Sequence, residues 1–256
     1  IKGPSSLLYA NGTIGGIINV VNNTIAREDF DGQEVNAGLE TQSANDGDIQ
    51  EFNYKNLLGG WLNFSLGYKN TELGNFDIPD GAVVHEEEDH GDDDHDEHEE
   101  EALSYVENSD FASEAKQFGV SRTGEWGYFG MSYENLESLY GIPFHGDEHG
   151  DEHEGERIFS TTDQTSYNLA GLYNINGGLI NSISYNWRDT EYSLTEAHAE
   201  EEGHDDHEEE EHEEHAPTVF TNDATEYGAI FDLSSDSFTQ KVALNFVDDD
   251  SAIVGE

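Results

Sequence analysis

Polar and apolar residues alternate along much of the chain. In residues 61–69, Leu62, Phe64, Leu66 and Tyr68 share one phase, with Asn63, Ser65, Gly67 and Lys69 on the other. In residues 128–135, Phe129, Met131 and Tyr133 oppose Gly130, Ser132 and Glu134. In residues 183–188, Ile183, Tyr185 and Trp187 oppose Ser184, Asn186 and Arg188. In residues 238–246, Phe238, Val242, Leu244 and Phe246 oppose Thr239, Lys241, Ala243 and Asn245. Weaker versions run through 35–41, 49–55, 116–122, 167–173 and 227–233. Period two over such lengths is the signature of a β-strand. The pattern predicts an all-β chain with about nine strands between Gln33 and Asp248.

Alternation of this kind has two readings. A soluble sandwich turns the apolar phase to a core. A transmembrane barrel turns it to lipid and fills the other phase with small polar residues. The polar phase here is Ser, Asn, Gly and Thr with isolated charges, and Lys55, Lys69, Arg188 and Lys241 are all assigned to it, none to the apolar phase. Connection lengths sharpen the choice. Short turn signals fall at 56–60, 123–125, 174–178 and 234–237, and long connections lie between them. Successive antiparallel strands reverse direction, so short turns share one end of the sheet and long loops the other. Short turns on one rim and long, extracellular loops on the other is the outer-membrane barrel pattern.

Charge then changes the picture. The 256 residues carry nine Lys+Arg against 58 Asp+Glu, and no cysteine. Binding to nucleic acid through phosphates needs a basic face and is excluded. Disulfides and thiolate zinc sites are excluded too, and no stretch is long and apolar enough for a membrane-spanning helix. The excess negative charge is concentrated in residues 85–101, 145–156 and 196–215. These tracts hold all 12 histidines, 30 of the acids, and no Lys or Arg. Pro79, Pro143 and Pro217 flank them, where a strand would be interrupted.

The N-terminal run Ile1-Lys2-Gly3-Pro4-Ser5-Ser6-Leu7-Leu8-Tyr9-Ala10-Asn11-Gly12-Thr13-Ile14-Gly15-Gly16-Ile17-Ile18-Asn19-Val20 closely resembles the end of the plug domain of TonB-dependent outer-membrane receptors. Its Gly3-Pro4 step, Tyr9, the glycine turn at Gly12, Gly15 and Gly16, and Asn19 carry the likeness. The resemblance implies that residues 1–31 are the C-terminal end of a plug. Residues 32–256 would then be the N-terminal part of a transmembrane antiparallel β-barrel of about 22 strands. It also implies a place in the outer membrane of a Gram-negative bacterium, among its lipids, and energy from the TonB–ExbB–ExbD complex acting on the missing N-terminal part. Bacterial barrels close with an even strand number, so nine strands and the start at Ile1 read as a piece of a longer protein. Such a piece has two free edges and is expected not to insert alone.

A narrower resemblance concerns the loops. Tyr140-Gly141-Ile142-Pro143-Phe144-His145, running into His149, His153 and Glu154, looks like the His-rich loop of the zinc-uptake branch of these receptors. Ser251-Ala252-Ile253-Val254-Gly255-Glu256 resembles a segment near a later loop of the same branch. The chemistry agrees: neutral imidazole with carboxylate and no sulfur suits Zn, Ni, Co or Cu(II). The candidate ligands are His85, His90, His95 and His98 in the first tract, and His145, His149 and His153 in the second. His198, His204, His207, His212 and His215 belong to the third. Gly146 and Gly150 disfavour a helix through the second tract, so its four-residue spacing does not imply a pre-formed site. Runs of Glu, Asp and His are usually solvated and disordered. The tracts therefore read as a collective antenna that gathers divalent cations electrostatically and passes them to a tighter site formed with the plug. Adjacent carboxylates favour protonated imidazole, so proton and metal compete.

No intrinsic cofactor and no catalytic constellation is expected, since Ser, His and Asp meet only within low-complexity runs. Zinc or a similar divalent metal would be cargo. The alternatives are a receptor of the same kind for a ferric siderophore, haem or cobalamin, and a secreted β-rich adhesin or metal-sequestering protein.

Overall fold

A computed structural model describes residues 23–79, 82, 104–143, 157–175, 177–199, 216–235 and 237–255. Eleven strands occur in it: β1 (Gln33–Gln42), β2 (Gly47–Leu58), β3 (Leu62–Leu73), β4 (Phe76–Asp77) and β5 (Tyr105–Val106). They continue with β6 (Phe111–Gly124), β7 (Gly127–Gly141), β8 (Arg157–Asn174), β9 (Ile180–Ala199), β10 (Thr218–Ser235) and β11 (Phe238–Val254). Nine form one antiparallel sheet in the order β1-β2-β3-β6-β7-β8-β9-β10-β11, and β4 pairs with β5 apart from it. The expected all-β architecture is found, and the nine strands of the large sheet match the expected number; β4 and β5 are additional, and β11 runs on to Val254. The sheet is not closed, and β1 and β11 are its two edges.

Every short turn predicted from the sequence joins a hairpin at one end of the sheet. In the turn from Leu58 to Trp61 the Trp61 N–H donates to the Leu58 carbonyl, and Gly59 and Gly60 both have positive φ. Two consecutive residues with positive φ suit the right-handed twist of a hairpin, and glycine takes that conformation without a Cβ clash. The connections containing the three tracts leave from the opposite end, as does the turn between β1 and β2.

The two faces of the sheet have inverted polarity. In β3 and in β6 to β8 the small polar phase is buried: Asn63 is 1% exposed, Ser121 3% and Ser65 5%, and Ser132 and Ser166 are also covered. The apolar phase is open, with Leu66, Phe118, Met131, Tyr227 and Leu244 all exposed. Among the described residues only one hydrophobic side chain, Ala26, is buried, against nine polar ones. No dry interior lies between facing apolar stripes, so the sandwich packing is not what these residues adopt.

Three cations depart from the expected phase, Arg157 at the loop end of β8 among them. Lys116 lies opposite Tyr68 and Arg122 opposite Phe129, on the apolar face. Both sit at the margins of the apolar band. Arg122 stands 5.7 Å from the Trp61 ring at the short-turn end, and Lys116 pairs with Glu114 towards the loop end. A long cationic side chain at such a margin lays its methylenes on apolar surface and keeps its charge in polar surroundings.

Residues 24–30 lie along the polar face. Ser65 Oγ donates to the Thr24 carbonyl (2.7 Å) and Ser121 Oγ to the Ala26 carbonyl (2.7 Å). The Phe30 N–H donates to Asn63 Oδ1 (2.8 Å), and Asn63 Nδ2 and Thr123 Oγ1 both donate to Asp29. The approach is close enough that a Cβ on Gly119 would stand 1.9 Å from the Thr24 carbonyl oxygen. Gly119→Val is therefore expected to lift residues 24–26 off the sheet, at a cost of about 1–3 kcal/mol typical of overpacking. Hydrogen exchange checks this: amides of residues 24–30 that keep their native protection in the variant would count against it.

Candidate functional site

The rim from which the tracts leave is built from strand ends and side chains that pin each connection at its base. Before and after the first tract, β4 pairs with β5 and the Ile78 N–H donates to the Ser104 carbonyl (2.8 Å). Ser109 ties the same base together: its N–H donates to Asn75 Oδ1, while its Oγ accepts from the Phe76 N–H and donates to the Val106 carbonyl. At the second tract the Ile142 N–H donates to the Ile158 carbonyl (2.9 Å). At the third, Thr218 of β10 pairs with Glu196 of β9.

Neighbouring bases are joined as well. The Gly141 N–H donates to the Asp110 carbonyl (2.9 Å), and the Arg157 guanidinium pairs with the Asp110 carboxylate. Asp110 follows the first tract and Arg157 the second, so this ion pair links two otherwise separate connections. Farther along β8, Ser160 stands opposite Glu196 of β9, where the third begins. Three polyanionic connections thus rise from adjacent strand pairs along one edge.

The predicted site residues divide sharply. Gly3, Pro4, Tyr9, Gly12, Gly15, Gly16 and Asn19 lie outside the described residues. So do His85, His90, His95, His98, His145, His149, His153, His204, His207, His212 and His215. His198 is described, and it lies in a strand rather than a loop. The third tract begins within β9, where His198 stands opposite Ile158 of β8 on the polar phase. Among the described residues no group of three or more His, Asp or Glu is arranged to hold a metal ion. Ser251–Val254 complete β11 at the same end of the sheet as the long connections.

The polar face carries a second pattern, visible only through register. Lys55 stands opposite Glu34, Lys69 opposite Glu51, Arg188 opposite Glu226 and Lys241 opposite Asp232. Lys241 Nζ is 3.5 Å from the Asp232 carboxylate, and Arg188 Nε also donates to Asn168 Oδ1 (3.0 Å). Directly opposite residues are neighbours in an antiparallel sheet, so these cations are locally compensated. Above residues 24–30 the same face forms a concavity of about 340 Å³, lined by Glu51, Asn53, Lys69, Gln117, Glu134 and Gln164. Thr24 Oγ1 donates to Gln117 Oε1 (3.0 Å) at its edge. Carboxamides, Lys69 and the Glu51 and Glu134 carboxylates make this wall a polar surface suited to hydrated solutes.

Sequence reasoning missed Asp110 and Arg157. Arg157 carried a signal, as the first cation after a tract without Lys or Arg, but its partner is 47 residues away and depends on strand pairing. A search against known families found that no family model matches the chain.

Proposed function

We propose that the chain is part of a TonB-dependent outer-membrane receptor that takes up zinc or another divalent metal, gathered by its acidic, His-rich extracellular loops. The observation that carries this reading is the inverted polarity of the sheet: its small polar face is covered by residues 24–30 at β3, β6 and β7, and its apolar face is open. A strand with lipid on one side and a plugged, hydrated lumen on the other has this distribution. The margins of the apolar face fit as well. Trp61, Tyr173 and Phe238 mark the short-turn side; Tyr68, Tyr133, Tyr167, Trp187, Tyr227 and Phe246 mark the loop side. From Phe238 to Phe246 the strand covers about 27 Å at about 3.4 Å per residue, which at a tilt of about 40° spans about 20 Å of the roughly 25 Å apolar band of such barrels. Beyond these aromatics the same face turns acidic, at Glu114, Glu137, Asp163, Asp223 and Asp250. The metal assignment is supported by the imidazole content of the tracts and by their shared exit rim.

Calorimetry on peptides spanning residues 85–101 and 196–215 tests the cargo. Micromolar zinc binding is expected at pH 7. It should weaken at least tenfold at pH 5, because unperturbed imidazole has a pKa of about 6.5 and its proton occupies the ligand lone pair. Absence of zinc binding at pH 7 would remove the metal and turn the reading to a ferric siderophore, haem or cobalamin.

A further inference from the structure

We propose that the loop end of the sheet, on the face that carries residues 24–30, binds the apolar body of a metal chelate without negative charge. That the ligand carries a metal rests on the receptor reading above; the patch itself rests on strand register. Nearer the short turns this face is small and polar. Towards the loop end, Phe111, Tyr140, Tyr192, Leu194, Phe220 and Ile253 all fall on it. Leu194, Phe220 and Ile253 form one cross-strand row. The Tyr192 and Phe220 rings meet edge to face, with centroids 6.0 Å apart and planes at 64°. Tyr140 is 40% exposed and Ile253 73% exposed, so the patch is open to a ligand.

The three tracts cannot cover this patch with large apolar side chains. Residues 85–101 and 145–156 contain no Ala, Val, Ile, Leu, Met or aromatic residue, and residues 196–215 contain only Ala197 and Ala199 of these types. A hydrated cation gains nothing from an apolar surface, whereas an apolar shell of ligand atoms around the metal does. The same rungs set the charge of that shell. On this face, from the row joining Ala115 of β6 to Ser251 of β11 out to the strand ends, there is no Lys or Arg among the described residues. Glu196 and His198 are the groups there that carry or can take a charge near neutral pH. An anionic ligand would meet a carboxylate and the three acidic tracts with no cation to receive it, while the ring faces accept positive charge. Ser160 lies between Tyr140 and Glu196 in the next row. It is 1% exposed and its Oγ has no hydrogen-bond partner among the described residues, which leaves one hydroxyl for a polar atom of the ligand to satisfy.

The test uses the intact receptor in lipid nanodiscs and tris(bipyridine)ruthenium(II), a luminescent apolar dication whose full coordination shell does not exchange with histidine. Equilibrium dialysis is expected to show binding that weakens about tenfold in the Tyr192→Ser/Phe220→Ser variant, whose charge is unchanged. Leu194→Ser supplies the same reading should the double variant fail to assemble. The carboxylated, anionic analogue of the probe should not bind. Hexaamminecobalt(III), a cation without an apolar shell, should not displace the probe at matched ionic strength. Undiminished binding by the variants, binding of the anionic analogue, or displacement by hexaamminecobalt(III) would overturn the proposal and leave only attraction to the tracts. An unaltered receptor that binds no probe would also overturn it, and would assign the patch to residues 1–22 as its cover. Zinc capture by the tracts is the separate readout and should stay within twofold in the variants. If the unaltered receptor captures no zinc, the cargo reading falls, and the probe still decides the patch.

Discussion

Replacing Met131 by Arg is expected, on the proposed receptor reading, to destabilise the membrane-inserted chain by about 2–4 kcal/mol, the cost of a cation at a lipid-facing position near the bilayer midplane. Met131 is 48% exposed and lies between Phe129 and Tyr133 on the apolar face. Across the sheet it is flanked by Val120 and Leu169, so no polar neighbour can receive the charge. Asn186→Arg is the matched control. It lies on the polar face of β9, opposite Ala170 and Gly228, where small neighbours leave room and a hydrated lumen would solvate the guanidinium. Its effect should stay under about 1 kcal/mol, in the range of substitutions away from special features. Urea titration of the folded fraction in lipid vesicles measures both. Equal sensitivity at the two positions would remove the membrane orientation.

Replacing all twelve histidines by Asn, with every carboxylate kept, is expected to lower the proposed zinc capture at least tenfold, about 1.4 kcal/mol. Carboxylates alone would still concentrate cations electrostatically, but that attraction is screened over about 8–10 Å in physiological salt. It also does not favour zinc over magnesium, whereas imidazole does. The variant should thus lose selectivity before it loses cation binding. Competitive titration of zinc against a millimolar magnesium background reads the difference. Undiminished zinc preference would mean that the histidines are passengers in an acidic tract. Eleven of these positions lie in residues 83–103, 144–156 and 200–215, and the twelfth, His198, is part of β9, so the change should spare most of the sheet.

Much of the fold was written in the alternation, but only where one face meets an apolar environment. The middle of β3, from Leu62 to Tyr68, was unambiguous because every second residue must avoid water. The loop-side half of β8 was not: Asp163, Gln164, Thr165 and Ser166 show no contrast between phases, yet they belong to the same strand. Both faces are polar there, and period two vanishes from the sequence while the backbone ladder continues. For the same reason β9 reaches Ala199 and takes in His198, which sequence reasoning placed in a loop. The short strands β4 and β5 left no pattern at all, since two residues cannot display a period.

The sequence alone determined the nine strands of the large sheet, the short turns and the common edge from which the tracts leave. These follow from local periodicity, turn chemistry and the parity of antiparallel reversal, none of which needs coordinates. Only the tertiary structure decided which phase is covered, because an alternating strand is equally able to turn either side inward. Only register, in turn, could set Lys69 against Glu51, Asp110 against Arg157, and Thr24 beneath Ser65. Those pairings join residues far apart in the chain, and a slip of one position would exchange the two faces of a strand. The ladder that forbids the slip exists only once the strands have met.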